Sequence, residues 1–115
     1  MLQNGIVLFS LFQFQKQLFQ CLLLHLELFL SGISLDRSKI LVIAPPPMTL
    51  GAWVPSQQLI DDSHAFAQLC QTLAEQLGIH FADAGKWDIP LAYDGVHFTE
   101  QGHKTFAAEL LEELK

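Results

Sequence analysis

Apolar residues in the first third of the chain recur with a helical rhythm. On a helical wheel Ser10, Gln13, Lys16, Gln17, Gln20, Glu27 and Ser31 share one face, and Leu8, Leu11, Phe12, Leu18, Leu22, Leu26, Phe29 and Leu30 lie largely opposite. The pattern predicts an amphipathic helix over much of 6–31, with an apolar arc wide enough to imply deep burial or a partner surface. At 39–44 (KILVIA) the rhythm becomes a continuous β-branched run, as expected of a strand buried on both faces of a parallel sheet. Pro45, Pro46 and Pro47 stop it, because proline cannot donate to a ladder. Residues 50–55 read as a loop carrying Gly51 and Trp53. From about Ser56 the helical period returns through Leu59, Phe66, Leu69, Cys70, Leu73 and Leu77, with Gly78 placed to end it. A second strand follows at 79–84 and a loop at 85–93. Thr99 then caps a last helix, whose buried stripe is expected to be His103, Phe106, Ala107, Leu110, Leu111 and Leu114.

Helix, strand, helix, strand, helix implies parallel strands and an α/β architecture. Two strands fall short of the three or more that an independently stable sheet usually needs, so the pattern looks like the back half of a larger sheet. Composition divides the chain near Ser34. Residues 1–34 hold only two charged side chains, Lys16 and Glu27, among Leu, Phe and Gln, whereas 35–115 are ordinary globular sequence. The expected organisation is an apolar helical segment, 1–34, ahead of a partial α/β domain, 35–115.

Several function classes drop out on charge and hydropathy. A net charge of −6, with six scattered basic residues, provides no phosphate-binding face and argues against a nucleic-acid partner. Gln13, Gln15, Lys16, Gln17 and Gln20 interrupt the apolar segment, and His25 and Glu27 lie inside its later run, so it falls short of the ~20 apolar residues of a membrane span. A basic start and a small-residue cleavage site, as a signal peptide needs, are absent as well. Cys21 and Cys70 have no CxxC or Cys/His ligand spacing, and read as two buried, reduced thiols of a cytoplasmic protein.

The chemistry concentrates in residues 94–103 (DGVHFTEQGH). A tight turn brings side chains three apart onto one side. The Asp94 carboxylate can then accept Nδ1–H of His97 and leave Nε2 free to take a proton. Gly95 supplies the backbone freedom such a turn needs. The bland alternative is a helix-capping turn in which Asp94 and His97 bond only to backbone. His103, on the apolar stripe, reads as a packed structural histidine. His64 and His80 read as surface residues, and His25 as incidental. A metal site made of Asp94, His97 and His103 has the wrong spacings, and no cofactor is implied. Asp83, ending a strand before Ala84 and Gly85, reads as turn-forming. Trp53 is either a neighbour of the substrate mouth or an aromatic plug over the strand end.

Three segments together carry a resemblance: ILVIAPPP at 40–47, GIHFADAG at 78–85 and DGVHFT at 94–99. In this order and spacing they resemble the C-terminal half of SGNH (GDSL-type) hydrolases, in the arylesterase and acetylesterase-like branch. The resemblance covers about residues 38–115. It implies a flavodoxin-like α/β/α sandwich with a parallel sheet, incomplete here, and hydrolysis of small acyl or acetyl esters by a Ser-His-Asp triad. By position, Asp94 would be the orienting acid and His97 the general base. The family's serine lies in a GDS motif, and no such motif stands in this chain. Ser10 sits in an apolar stretch with no tight turn to expose it. Asn4 falls near the position of the family's GxND oxyanion motif, but among the wrong neighbours. A truncated or frame-shifted product is therefore expected, with weak or no activity in isolation. The competing expectation is a non-catalytic α/β fragment or interaction module that dimerises through the N-terminal apolar helix.

Overall fold

The computed structural model describes residues 15–115, with side chains from residue 20 onward. Ser10, Asn4 and the predicted helix before residue 15 lie outside the described residues. The elements run in the order α1 (Gln15–Gly32), β1 (Leu41–Ala44), α2 (Gln57–Leu77), β2 (His80–Asp83) and α3 (Glu100–Glu113), with short 3-10 turns at Arg37–Lys39 and Ala84–Lys86. The two strands pair in parallel, with Leu41 opposite His80 and Ala44 opposite Asp83. This is a mixed α/β structure in keeping with part of a flavodoxin-like fold.

Helix α2 is the crossover between the strands, and its ends follow its sequence. Ser56 adopts extended angles and its side chain accepts from the Leu59 N–H, while Gly78 ends the helix at φ 69°, ψ 36°. Only glycine takes that left-handed conformation without steric cost. The Gly78 and Ile79 amides then return to carbonyls of the last turn. The Arg37 guanidinium, from the turn before β1, donates to the Leu77 carbonyl. A cation placed there also suits the negative end of the helix dipole.

The face α2 turns inward is smaller than the periodicity suggested. Ala67, Cys70, Leu73 and Ala74 are buried, whereas Leu69, expected in the core, is exposed. Ala44, Ala67 and Cys70 meet at the helix–sheet contact, with Leu23, Leu26, Phe66 and Phe81 packed around them. Small side chains at that point let helix and strand approach closely, so the larger residues gather at the margin.

Three expectations of burial are corrected. Strand β1 begins at Leu41, after the 3-10 turn, and its Leu41, Val42 and Ile43 are only half-buried. Among the described residues β1 has one neighbouring strand, β2. Beside β1 runs an apolar groove of about 620 Å³, lined in part by Leu22, Leu26 and Leu30 of α1. Phe29, placed on the apolar arc, stands out in solvent with Leu24 and Leu28. The stripe of α3 is also largely uncovered: Gly102 is its one buried residue, Phe106 and Leu110 are half-buried, and Ala107, Leu111 and Leu114 are exposed. Two strands and a crossover helix have too few layers to cover both the wide arc of α1 and the far side of α3.

Candidate functional site

The segment between Pro90 and Thr99 folds back on itself. Leu91 and Phe98 form an antiparallel bridge. Ala92 N–H donates to the His97 carbonyl (2.7 Å), Gly95 N–H to the Ala92 carbonyl (3.0 Å) and Thr99 N–H to the Pro90 carbonyl (3.2 Å). Asp94 to His97 is the tip of this small hairpin. Gly95 turns it at φ 82°, and a Cβ there would sit 2.1 Å from the Thr49 carbonyl oxygen. Both the angle and the space therefore demand glycine.

Asp94 is buried, and its carboxylate is fully employed. Oδ1 accepts from the Val96 N–H (2.8 Å) and the His97 N–H (2.9 Å), and Oδ2 faces His97 Nδ1 at 2.5 Å. The two backbone N–H groups, His97 first and Val96 next, hold the carboxyl below the usual carboxylate range. Desolvation opposes this, and the imidazole adds to the lowering. A carboxylate at that distance makes Nδ1 the protonated nitrogen, which leaves Nε2 with its lone pair. Among the described residues nothing hydrogen-bonds Nε2, and the His97 side chain is 61% exposed. The capping-turn alternative is thus half right: Asp94 does bond backbone amides, and it bonds the imidazole as well. Val96 and Phe98, on either side of His97, face an apolar cavity of about 420 Å³ shared with Ile43, Pro45 and Phe66. Alternation along the chain therefore pins the neighbours inward and sends His97 outward.

The loop after β1 docks onto this tip through its backbone. Thr49 N–H donates to the Gly95 carbonyl (3.0 Å), Ala52 N–H to the Tyr93 carbonyl (3.1 Å) and Trp53 N–H to the Asp94 carbonyl (3.0 Å). Gly51 lies at the centre of the contact. A Cβ on it would meet Tyr93 O, Asp94 C and Gly95 N at 2.5–2.6 Å. Sequence reasoning placed Gly51 in a loop and missed this role. The available signal was the recurrence of glycine in both segments. Trp53 sets its ring against His97, with centroids 5.2 Å apart and planes at 79°.

The remaining sequence-selected residues fall away from this pair. The Asp83 side chain accepts from the Gly85 N–H (2.9 Å), the turn-forming role expected of it. His64, His80 and His25 are exposed, and His25 Nδ1 bonds the Cys21 carbonyl within α1. His103 is exposed rather than packed, touching the Phe98 ring from outside at 5.3 Å. It lies in the first turn of α3, where the helix rim faces water. Thr99 caps α3 through Gly102 N–H (2.9 Å). Cys70 is buried and Cys21 half-buried; both are free thiols. Among the described residues no cluster of His, Cys, Asp or Glu can hold a metal, no helix is long and apolar enough to cross a membrane, and no Ser, Thr or Cys side chain bonds His97. His97 lines neither the groove of about 620 Å³ beside β1 nor a second of about 750 Å³ between Pro47 and Pro90.

No family model matches this chain, and no curated protein matches it. Solved structures do. One is a protein of Agrobacterium tumefaciens str. C58 assigned as an arylesterase, at 31% identity and TM-score 0.58, covering 66% of this chain and 38% of that one. Another is the native aryl esterase of M. smegmatis, at 30% identity and TM-score 0.57, covering 72% of this chain and 40% of that one. The chain thus spans about two fifths of the length of the esterases it matches. Over the matched part, this chain carries a portion of the arylesterase α/β fold.

Proposed function

We infer that this chain carries the base half of an SGNH-type ester hydrolase, with Asp94 as orienting acid and His97 as general base toward small acyl or acetyl esters. The observation that supports this most directly is the Asp94 Oδ2 to His97 Nδ1 contact at 2.5 Å, with Nε2 unengaged and turned to solvent. Such an imidazole takes a proton from an attacking hydroxyl at Nε2 and returns it to the leaving group, while the carboxylate stabilises the imidazolium between the two steps. The serine and the oxyanion donors are to be supplied from outside the described residues. The isolated chain is accordingly expected to turn over p-nitrophenyl acetate weakly or not at all. Turnover by the isolated chain that vanishes in His97→Ala would overturn that expectation.

The test of the base assignment is a chimera. Residues 38–115 would replace the matching segment of the Agrobacterium protein, and the product would be assayed on p-nitrophenyl acetate. The expected result is an active chimera that loses about 10³-fold or more in kcat on His97→Ala. A folded chimera that is inactive, or one indifferent to His97, refutes the assignment.

A second reading is favoured by the exposed Leu24, Leu28 and Phe29 of α1. In it the chain is a non-catalytic module that self-associates through that face, since apolar surface of this kind marks interaction sites. Light scattering behind size-exclusion chromatography decides it. A monomer at micromolar concentration counts against this reading.

A further inference from the structure

His97 is held to Asp94 at one atom, and one hydrogen bond leaves the imidazole free to tilt about the Nδ1···Oδ2 axis. The ring is largely exposed, so core packing does not restrain it. Trp53 approaches it edge-to-face, with ring centroids 5.2 Å apart. Trp53 is also tied to the acid itself, because its backbone N–H donates to the Asp94 carbonyl. The indole, the carboxylate and the imidazole therefore share one backbone junction, set by Gly51 and Gly95 packing against each other's segments. Burial does not explain the indole's position: Trp53 is 51% exposed, too much for a plug over the end of β1. An aromatic ring left half in water and set perpendicular to an imidazole restrains that imidazole's plane.

We propose that Trp53 is a positioning residue for His97, its indole holding the imidazole in the orientation that keeps Nδ1–H donating to the Asp94 carboxylate and Nε2 pointing outward. This rests on reading Asp94 and His97 as an acid–base pair, and it is tested without reference to activity. Ring ¹⁵N shifts of His97, measured in mildly alkaline buffer, report the fraction of neutral molecules with the proton on Nδ1. Wild type is expected to hold the Nδ1–H tautomer. Trp53→Ala and Trp53→Leu are expected to lower the ratio of Nδ1–H to Nε2–H tautomers roughly threefold to tenfold, and Trp53→Phe to restore most of it. The leucine variant keeps apolar bulk without an aromatic edge, and with the phenylalanine variant it decides the matter even if alanine disturbs the turn. Backbone amide shifts of residues 92–99 show that the turn is intact. A Trp53→Leu protein with the wild-type ratio overturns the positioning role and leaves the acid–base reading standing. A wild type without the Nδ1–H tautomer overturns both.

Discussion

Gly51→Ala is expected to unseat the loop from the Asp94 turn, because the added Cβ would lie 2.5–2.6 Å from three backbone atoms of Tyr93, Asp94 and Gly95. Backbone cannot swing aside as a long side chain does, so the loop must lift. Lifting it breaks three N–H···O bonds, from Thr49, Ala52 and Trp53. At a net worth of about 0.5–1.5 kcal/mol each, they amount to roughly 1.5–4.5 kcal/mol. Replacing Gly by Ala also restricts the unfolded chain, which returns about 0.4–1 kcal/mol. The net destabilisation is then about 0.5–4 kcal/mol, up to a large share of the stability typical of a small domain. Urea unfolding followed by circular dichroism measures it, and the thermal midpoint should fall by roughly 2–25 °C. Gly32→Ala is the matched control. Nothing lies within 4 Å of a Cβ at that position, so the same chemical change should be neutral or stabilise by up to about 1 kcal/mol. Equal unfolding midpoints for the two variants would refute the claim that backbone-to-backbone docking holds the site together.

Other outcomes follow from single groups. Asp94 titrates below its unfolded value of about 3.9, so its contribution to stability is present above that pH and lost as pH falls through the folded pKa. Asp94→Asn should flatten the stability–pH curve below about pH 4, and an unchanged acid-unfolding profile would contradict this. Burial pushes the Cys70 thiol up to about 11. At pH 8 its alkylation should therefore run roughly two orders of magnitude slower than that of an ordinary thiol until urea is added; peptide mapping after iodoacetamide treatment reads this directly. Thr99→Ala removes the acceptor for Gly102 N–H at the start of α3 and should cost about 1 kcal/mol in urea unfolding.

Local chemistry was legible from residue order alone. Ser56 and Gly78 bound α2, Thr99 starts α3, and Asp83 forms its turn, because caps and turns depend on atoms within a few residues of one another. The Asp94–His97 contact belongs with these, since three-residue spacing in a glycine turn leaves little choice of geometry. Burial was less legible. Leu69, Phe29, Leu111 and Leu114 have the right periodicity and still face solvent. Periodicity says which residues share a face, and only the surrounding layers say whether that face is covered.

The chain's own order of residues thus settled the element types and the Asp94–His97 contact, which arise from short-range sterics and hydrogen bonding, and the strand–helix–strand order implied the parallel pairing. The meeting of Gly51 with Gly95, and of Trp53 with His97, was settled by the fold, because the residues lie more than 40 positions apart along the chain. No local pattern encodes the docking of two loops. It appears once the parallel pairing of β1 and β2 brings their following segments to the same end of the sheet, where Pro47 packs against Gly85 and the site is assembled.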